Sequence, residues 1–269
     1  MIETLLSYGF LQRAVLAGIF VGIACALLGL FLILRKDAMI GHGLAHVTFG
    51  GVALGLFLNL LPLLLALAVA VAAALGIMKL KEKAGLYGDT AIGIFSSAGM
   101  AAGIILVSLS GKFNVDLLGY LFGDILAIEP VEVWLSIGLA VIVLLAMLLN
   151  YHRLMYMTFA PEAAKASGIK TRRLELLLTI LTAVTVVLGM KVVGLLMVTA
   201  LLVIPAAAGL QAARRFKTVV LVSILVALVS VAGGLAAAVT LDLPASASIV
   251  ILSFLIFGLT FFFRKKRFF

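Results

Sequence analysis

A chain of 269 residues that is 65% apolar, only 12% charged and has a mean hydropathy of +1.34 is not a soluble domain. Soluble folds run nearer half apolar and a quarter charged, so lipid must be the solvent over most of this surface. The net charge of +9 invites a nucleic-acid reading, but the basic residues are distributed as membrane topology requires, and no nucleic-acid partner is expected.

The apolar material comes in blocks of about 17–25 residues, the length of membrane-spanning helices and not of barrel strands of about ten. The expected fold is therefore all-α: a polytopic helical bundle with eight or nine transmembrane helices. It forms one transmembrane domain over 1–269 with no soluble domain. The first block, Phe10–Leu34, is too long for the apolar region of a cleaved leader and ends in Arg35-Lys36. Cys25, the one cysteine, lies inside this block and reads as a packing residue.

The second block, Gly43–Leu60, opens with the most informative stretch, Gly41-His42-Gly43-Leu44-Ala45-His46-Val47-Thr48-Phe49-Gly50-Gly51. His42 and His46 stand at i and i+4, so on a helix they share one face. Two imidazoles at that spacing suit a borderline metal such as zinc. The alternative is that both sit at the membrane interface or hydrogen-bond within the bundle. The spacing matches half of a zinc-protease motif, but Gly43 stands where the general base would be, which disfavours protease chemistry.

Pro62–Met78 follows after Leu61 alone, as a tight hairpin or a broken element. Thr90–Leu109 is next. The segment Asn114–Ile128 is apolar but short, interrupted by Asp116 and Asp124, and reads as interfacial or re-entrant. Asp124 either assists a cation or caps a helix. With Glu129 and Glu132, the two aspartates place four acids in one outer stretch, either a solvated loop or a negative mouth. Spacings such as Gly51-x-x-x-Gly55 and Gly99-x-x-x-Gly103 permit close helix packing.

Val131–Leu149 leads into a cytoplasmic connection in which His152 reads as a solvated loop residue. The connection contains Ala160-Pro161-Glu162-Ala163-Ala164-Lys165-Ala166-Ser167-Gly168. Pro161 suits a first turn, Glu162 complements the helix dipole, and Gly168 suits the stop. A two-turn helix is unstable alone in water and needs a surface to dock on. That surface is either the membrane interface or a partner.

Leu174–Met190 and Val192–Leu210 meet near Lys191, which is expected to snorkel or to pair with an acid. Pro205 in the latter permits a kink. Val219–Leu241 and Ala245–Phe263 complete the nine candidate spans, before the basic tail Arg264-Lys265-Lys266-Arg267. With the N-terminus outside and the C-terminus cytoplasmic, only Arg13, Lys112 and Lys191 of the 20 Lys and Arg fall outside, leaving 17 inside. No G-x-x-x-x-G-K-[ST] motif occurs, so any ATP hydrolysis belongs to a partner chain.

The stretches Gly41–Gly55, Tyr120–Leu126, Ala160–Gly168 and Val193–Ala208, in this order and spacing, resemble the permease family of zinc- and manganese-type ABC importers. The match covers nearly the whole chain. The resemblance implies a multi-pass subunit of a prokaryotic cell membrane, paired with a second permease, commonly a second copy. It further implies cytoplasmic ATP-binding subunits and an extracytoplasmic metal-binding protein. The positions of His42 and His46 would line the metal path, and Ala160–Gly168, with Pro161, Glu162, Ala163 and Gly168, would contact the ATPase. No permanently bound cofactor is implied; the divalent metal is cargo.

Many members of that family have Asp where this chain has His42. A His,His pair is softer than Asp,His, which favours zinc. Manganese or iron carried by the same machinery, and a permease for a metal chelate such as a siderophore or corrinoid, are the alternatives. A self-sufficient secondary transporter would need coupling carboxylates within the spans, and these spans hold almost none.

Overall fold

The computed structural model describes residues 9–85, 88–110, 119, 123 and 128–262. Within them eleven helices follow one another: α1 (Gly9–Leu34), α2 (Ile40–Leu58), α3 (Pro62–Ala84), α4 (Gly88–Ser110), α5 (Pro130–Leu149), α6 (Tyr151–Phe159), α7 (Pro161–Ala166), α8 (Thr171–Val193), α9 (Leu195–Ala212), α10 (Phe216–Leu241) and α11 (Ala245–Phe262). All except α6 and α7 are long and apolar enough to cross a membrane, giving nine such helices among the described residues. The bundle is all-helical, as its composition requires: lipid offers backbone groups no hydrogen bonds, and a helix satisfies its own.

Several boundaries differ from the sequence reading, α8 for instance running over Thr171–Val193 and α9 starting at Leu195, and three differences bear on the site and its surroundings. Helix α2 begins at Ile40, three residues before the expected Gly43, so both histidines lie inside its first turns. Helix α3 continues past Met78 to Ala84, because Lys79, Lys81 and Lys83 are good helix formers that reach the inner interface. The connection after α5 is not a loop at His152: after Asn150 the chain resumes as α6, which buries Leu154 and Met157 at i and i+3. Pro205 lies within α9, whose helical assignment runs through it. The Leu61 hairpin is borne out. Asn59 takes a left-handed conformation at φ 52°, closing α2, and Pro62 starts α3.

Helix α1 is the axis of the larger group and packs against α5, α8, α9 and α10. Helices α2, α3 and α4 form a second group, joined to the first mainly through α8 and α9. The α2–α4 contact is very close. A β-carbon at Gly99 would lie 2.7 Å from the Val47 Cα, and one at Gly50 would lie 2.5 Å from the Gly99 carbonyl oxygen, so only glycine fits at either position. Buried hydroxyls need partners too. Thr48, Thr182 and Thr185 donate to the carbonyls four residues back, at 2.7–2.8 Å, keeping polar atoms satisfied inside the bundle. The outward faces of α4, α5 and α11 carry exposed Ile94, Ile105, Leu145, Leu148, Phe254 and Leu255, as expected where lipid replaces water.

The two ends of the bundle are marked by different ion pairs. At the inner end, Asp37 in the α1–α2 connection accepts a 2.7 Å hydrogen bond from Lys81 of α3 and lies 3.8 Å from Arg35. Arg35 also binds Glu175 of α8, and Arg172 of α8 binds Glu82 of α3 at 2.8 Å. At the outer end Glu132, in the first turn of α5, is buried and paired with Lys191 of α8. Its other oxygen accepts from the Glu129 N–H at 3.1 Å, completing a capping box. Glu129 and Glu132 are therefore helix-capping residues and not part of a free acidic loop. Lys191 pairs with an acid, one of its two expected roles.

Candidate functional site

The site begins with the register of α2. A β-carbon at Gly41 would meet Leu202 of α9, and Gly43 is appressed to Ile92 of α4. At about 100° per residue, His42 projects from the helix between its α9-facing and α4-facing sides. His46, one turn on, follows it. His42 is exposed on the protomer and His46 half-buried. Phe49, one turn further outward on the same face, is buried with its ring so close to Gly103 of α4 that a β-carbon there would lie 2.7 Å away.

The two imidazoles are brought together as the i, i+4 spacing requires. Their Nε2 atoms are 3.1 Å apart, and the rings meet edge to face with centroids 4.6 Å apart. Two nitrogens bound to one zinc at about 2.0–2.1 Å and a tetrahedral angle lie about 3.3–3.4 Å apart. The pair therefore nearly has the bite of a bidentate metal ligand. The same gap suits one N–H···N hydrogen bond, in which a proton sits where a cation would sit. His46 Nδ1 is buried without a hydrogen-bond partner among the described residues. Permanent metal sites instead fix each imidazole through its second nitrogen. Among the described residues no group of three or more His, Cys, Asp or Glu comes together. Asp124, the third candidate metal contact, lies outside the described residues.

The expected cytoplasmic helix is present as α7. Pro161 occupies its first turn, Glu162 and Lys165 form an exposed 3.6 Å pair, and Gly168 follows at φ +77°, a conformation that favours glycine. It is not without a surface of its own. Ala164 is fully buried, α7 packs against α6, and Tyr156 and Ser167 hydroxyls lie 3.2 Å apart. The remaining side chains of α7, including Pro161, Glu162 and Ala163, are exposed.

The sequence reading did not anticipate the inner ion-pair cluster. Arg35 and Asp37 retain only 13% and 16% of their side-chain exposure, so these charges are largely removed from water. The cluster fastens the start of the histidine-bearing helix to α3 and α8. Its one signal in the sequence is that charges of both signs stand at the inner ends of three spans.

Nine helices long and apolar enough to cross a membrane among the described residues, with an imidazole pair on one face of α2, fit a polytopic membrane transport subunit. Comparison with known proteins agrees. The chain belongs to the ABC 3 transport family, whose model matches residues 7–264. It is 33% identical over 265 residues to the manganese transport system membrane protein MntC of Halalkalibacterium halodurans, covering 98% of this chain and 91% of that one. It is 36% identical over 260 residues to the high-affinity zinc uptake system membrane protein ZnuB of Haemophilus influenzae, covering 96% and 99%. Among solved structures, PsaBC from Streptococcus pneumoniae in complex with Fab superposes with a TM-score of 0.88 at 32% identity, covering 99% of this chain and 96% of that one. A metal-chelate type ABC transporter in an inward-facing conformation gives 0.75 at 18% identity, covering 94% and 85%, which supports the fold alone. The protein is thus a transport subunit of the cell membrane and not an enzyme.

Proposed function

We propose that this permease imports a divalent transition metal, with zinc the favoured cargo, and that the ion passes between His42 and His46. The observation that carries this reading is the 3.1 Å separation of the two Nε2 atoms on one face of α2. Two neutral nitrogen donors suit zinc better than manganese, which is better served by oxygen. His42 is exposed on the protomer, so a second copy of the chain packed over it would enclose the path and supply the remaining ligands. A conduit must bind its ion and also release it. Two imidazoles with no cluster of further His, Cys, Asp or Glu around them among the described residues suit that requirement. Asp124 is proposed to draw the cation from the outer side.

Energy comes from cytoplasmic ATP-binding subunits seated on α7, through Pro161, Glu162, Ala163 and the turn at Gly168. The metal is delivered by an extracytoplasmic metal-binding protein. Closure of the ATPase pair moves α7, and with it the helices that frame the ion path, so that the path opens alternately to either side. Manganese is the second reading, because MntC of H. halodurans is named as a manganese transport system membrane protein and aligns over almost the whole chain. Competition uptake with zinc and manganese decides between them: His42→Asp should shift preference toward manganese. An unchanged zinc-to-manganese ratio would remove the selectivity argument.

A further inference from the structure

The carboxylates at the inner end of the bundle are neutralised with one exception. Asp37, Glu82, Glu162 and Glu175 each contact a Lys or Arg. Asp89, in the first turn of α4, is exposed and contacts no Lys or Arg among the described residues. Cations are close by. A β-carbon at the neighbouring Gly88 would lie 3.3 Å from Lys81 Nζ, but that nitrogen binds Asp37. Asp89 is thus a free negative charge at an end that carries most of the chain's Lys and Arg.

Its position follows from the way α2, α3 and α4 meet. Helix α2 meets α3 through Gly51 and Gly55, and α4 meets α3 where Phe95 packs on Gly76. Between α2 and α4, Gly43 touches Ile92, Val47 touches Gly99 and Phe49 touches Gly103. The numbers rise together, so the two helices run parallel and both start at the inner end. At about 100° per residue, Phe95, Gly99, Gly103 and Asp89 follow one another around α4 in steps of about 40°. Asp89 therefore lies on the side of the α2–α4 contact away from α3. On α2, Gly51 and Gly55 lie about 80–120° to one side of Gly43, and His42 and His46 about 60–100° to the other. The histidines and Asp89 thus share one flank of the α2–α4 pair. Asp89 precedes Ile92 by three residues, which places it about 4.5 Å further inward than the level of Gly43. From outside to inside, the order along this flank is Phe49, His46, His42, Asp89.

The geometry points to Asp89 as the inward acceptor of the transported cation: its carboxylate receives the ion as it leaves His42 and carries it past the positive inner end. This rests on the reading that the ion passes between His42 and His46. Two neutral imidazoles bring no negative charge to the ion, and the Lys and Arg beyond them repel it. A free carboxylate at that point lowers the barrier to exit, and it acts on a divalent ion twice as strongly as on a unit charge. At an exposed position the effect is about tenfold in the rate of exit. Carboxylate oxygen serves manganese as well as it serves zinc, so the effect is the same for both metals. An acid in a first turn also complements the helix dipole. That role alone would change stability and leave transport as it is.

The test is uptake of radioactive zinc, and of manganese, into vesicles that contain the permease with its ATP-binding subunits. Asp89→Asn should lower the maximal rate about tenfold for either metal without raising the half-saturating metal concentration. Asp89→Glu should recover most of the rate, which separates the charge from the fold. Glu82→Gln, which removes a carboxylate already paired with Arg172, should transport like the parent. An unchanged maximal rate in Asp89→Asn, a loss seen only in half-saturation, an equal loss in Glu82→Gln, or no recovery in Asp89→Glu would each overturn the assignment. So would a lowered unfolding midpoint with normal uptake, because Asp89 would then serve only the helix dipole. The double variant H42A/H46A, measured in parallel, keeps the two readings apart. Its loss of uptake beside a normal Asp89→Asn refutes the role of Asp89 alone, whereas uptake that survives it refutes the histidine path.

Discussion

Replacing Asp37 with Asn tests whether the inner ion-pair cluster holds the histidine-bearing helix to its neighbours. The carboxylate is 16% exposed, accepts from Lys81 at 2.7 Å and lies 3.8 Å from Arg35. Two unit charges about 4 Å apart attract by about 4 kcal/mol at an effective dielectric constant of about 20. Desolvation offsets part of that, and hydrogen bonds to charged groups contribute about 1.5–3 kcal/mol net. Lys81 is itself about a third exposed, and Arg35 keeps Glu175 when Asp37 is neutralised. The loss should therefore fall at about 2 kcal/mol, in the lower part of that range. Thermal unfolding of the purified protein in detergent should show it as a midpoint lowered by roughly 4–8 °C. A double-mutant cycle with Lys81→Met assigns the loss: the coupling should be at least about 1 kcal/mol. Coupling near zero would mean that the pair is an incidental contact and that packing alone holds α2 to α3.

Further outcomes follow from the packing and from the outer ion pair. Gly99→Ala places a β-carbon 2.7 Å from the Val47 Cα; the overpacking should cost about 1–3 kcal/mol and be read as a lowered unfolding midpoint. Gly138→Ala, where a β-carbon meets nothing within 4 Å, should leave that midpoint unchanged or slightly raised. Lys191→Met strands the buried Glu132 carboxylate and should destabilise by about 3–5 kcal/mol, whereas Glu132→Gln combined with Lys191→Met should recover most of that loss.

The spans were readable because lipid imposes a single rule on them: about twenty apolar residues whose backbone satisfies itself. The histidine pair was readable because its partners are four residues apart and a helix fixes their relation. Contacts made by tertiary packing left no such trace. Lys81 reaches Asp37 across 44 residues and Arg35 reaches Glu175 across 140, and neither spacing has a periodic signature. Glu132 was grouped with its acidic neighbours because one sequence does not show which charges are buried; Lys191, on another helix, decides that. Helix α6 was hidden by its mixed polarity, although Leu154 and Met157 at i, i+3 carried the signal. The small helix was foreseen from Pro161 and Gly168, but not its own seat, because alanine gives no hint that Ala164 is the buried residue.

The most direct test is uptake of radioactive zinc into vesicles that contain the permease with its ATP-binding subunits. Zinc uptake should require ATP. His42→Ala and His46→Ala should each reduce it by at least the ten- to hundredfold that loss of a merely supporting contact costs at metal sites, with the protein still folded and inserted. Zinc uptake without ATP, or uptake that survives loss of both histidines, would contradict the account.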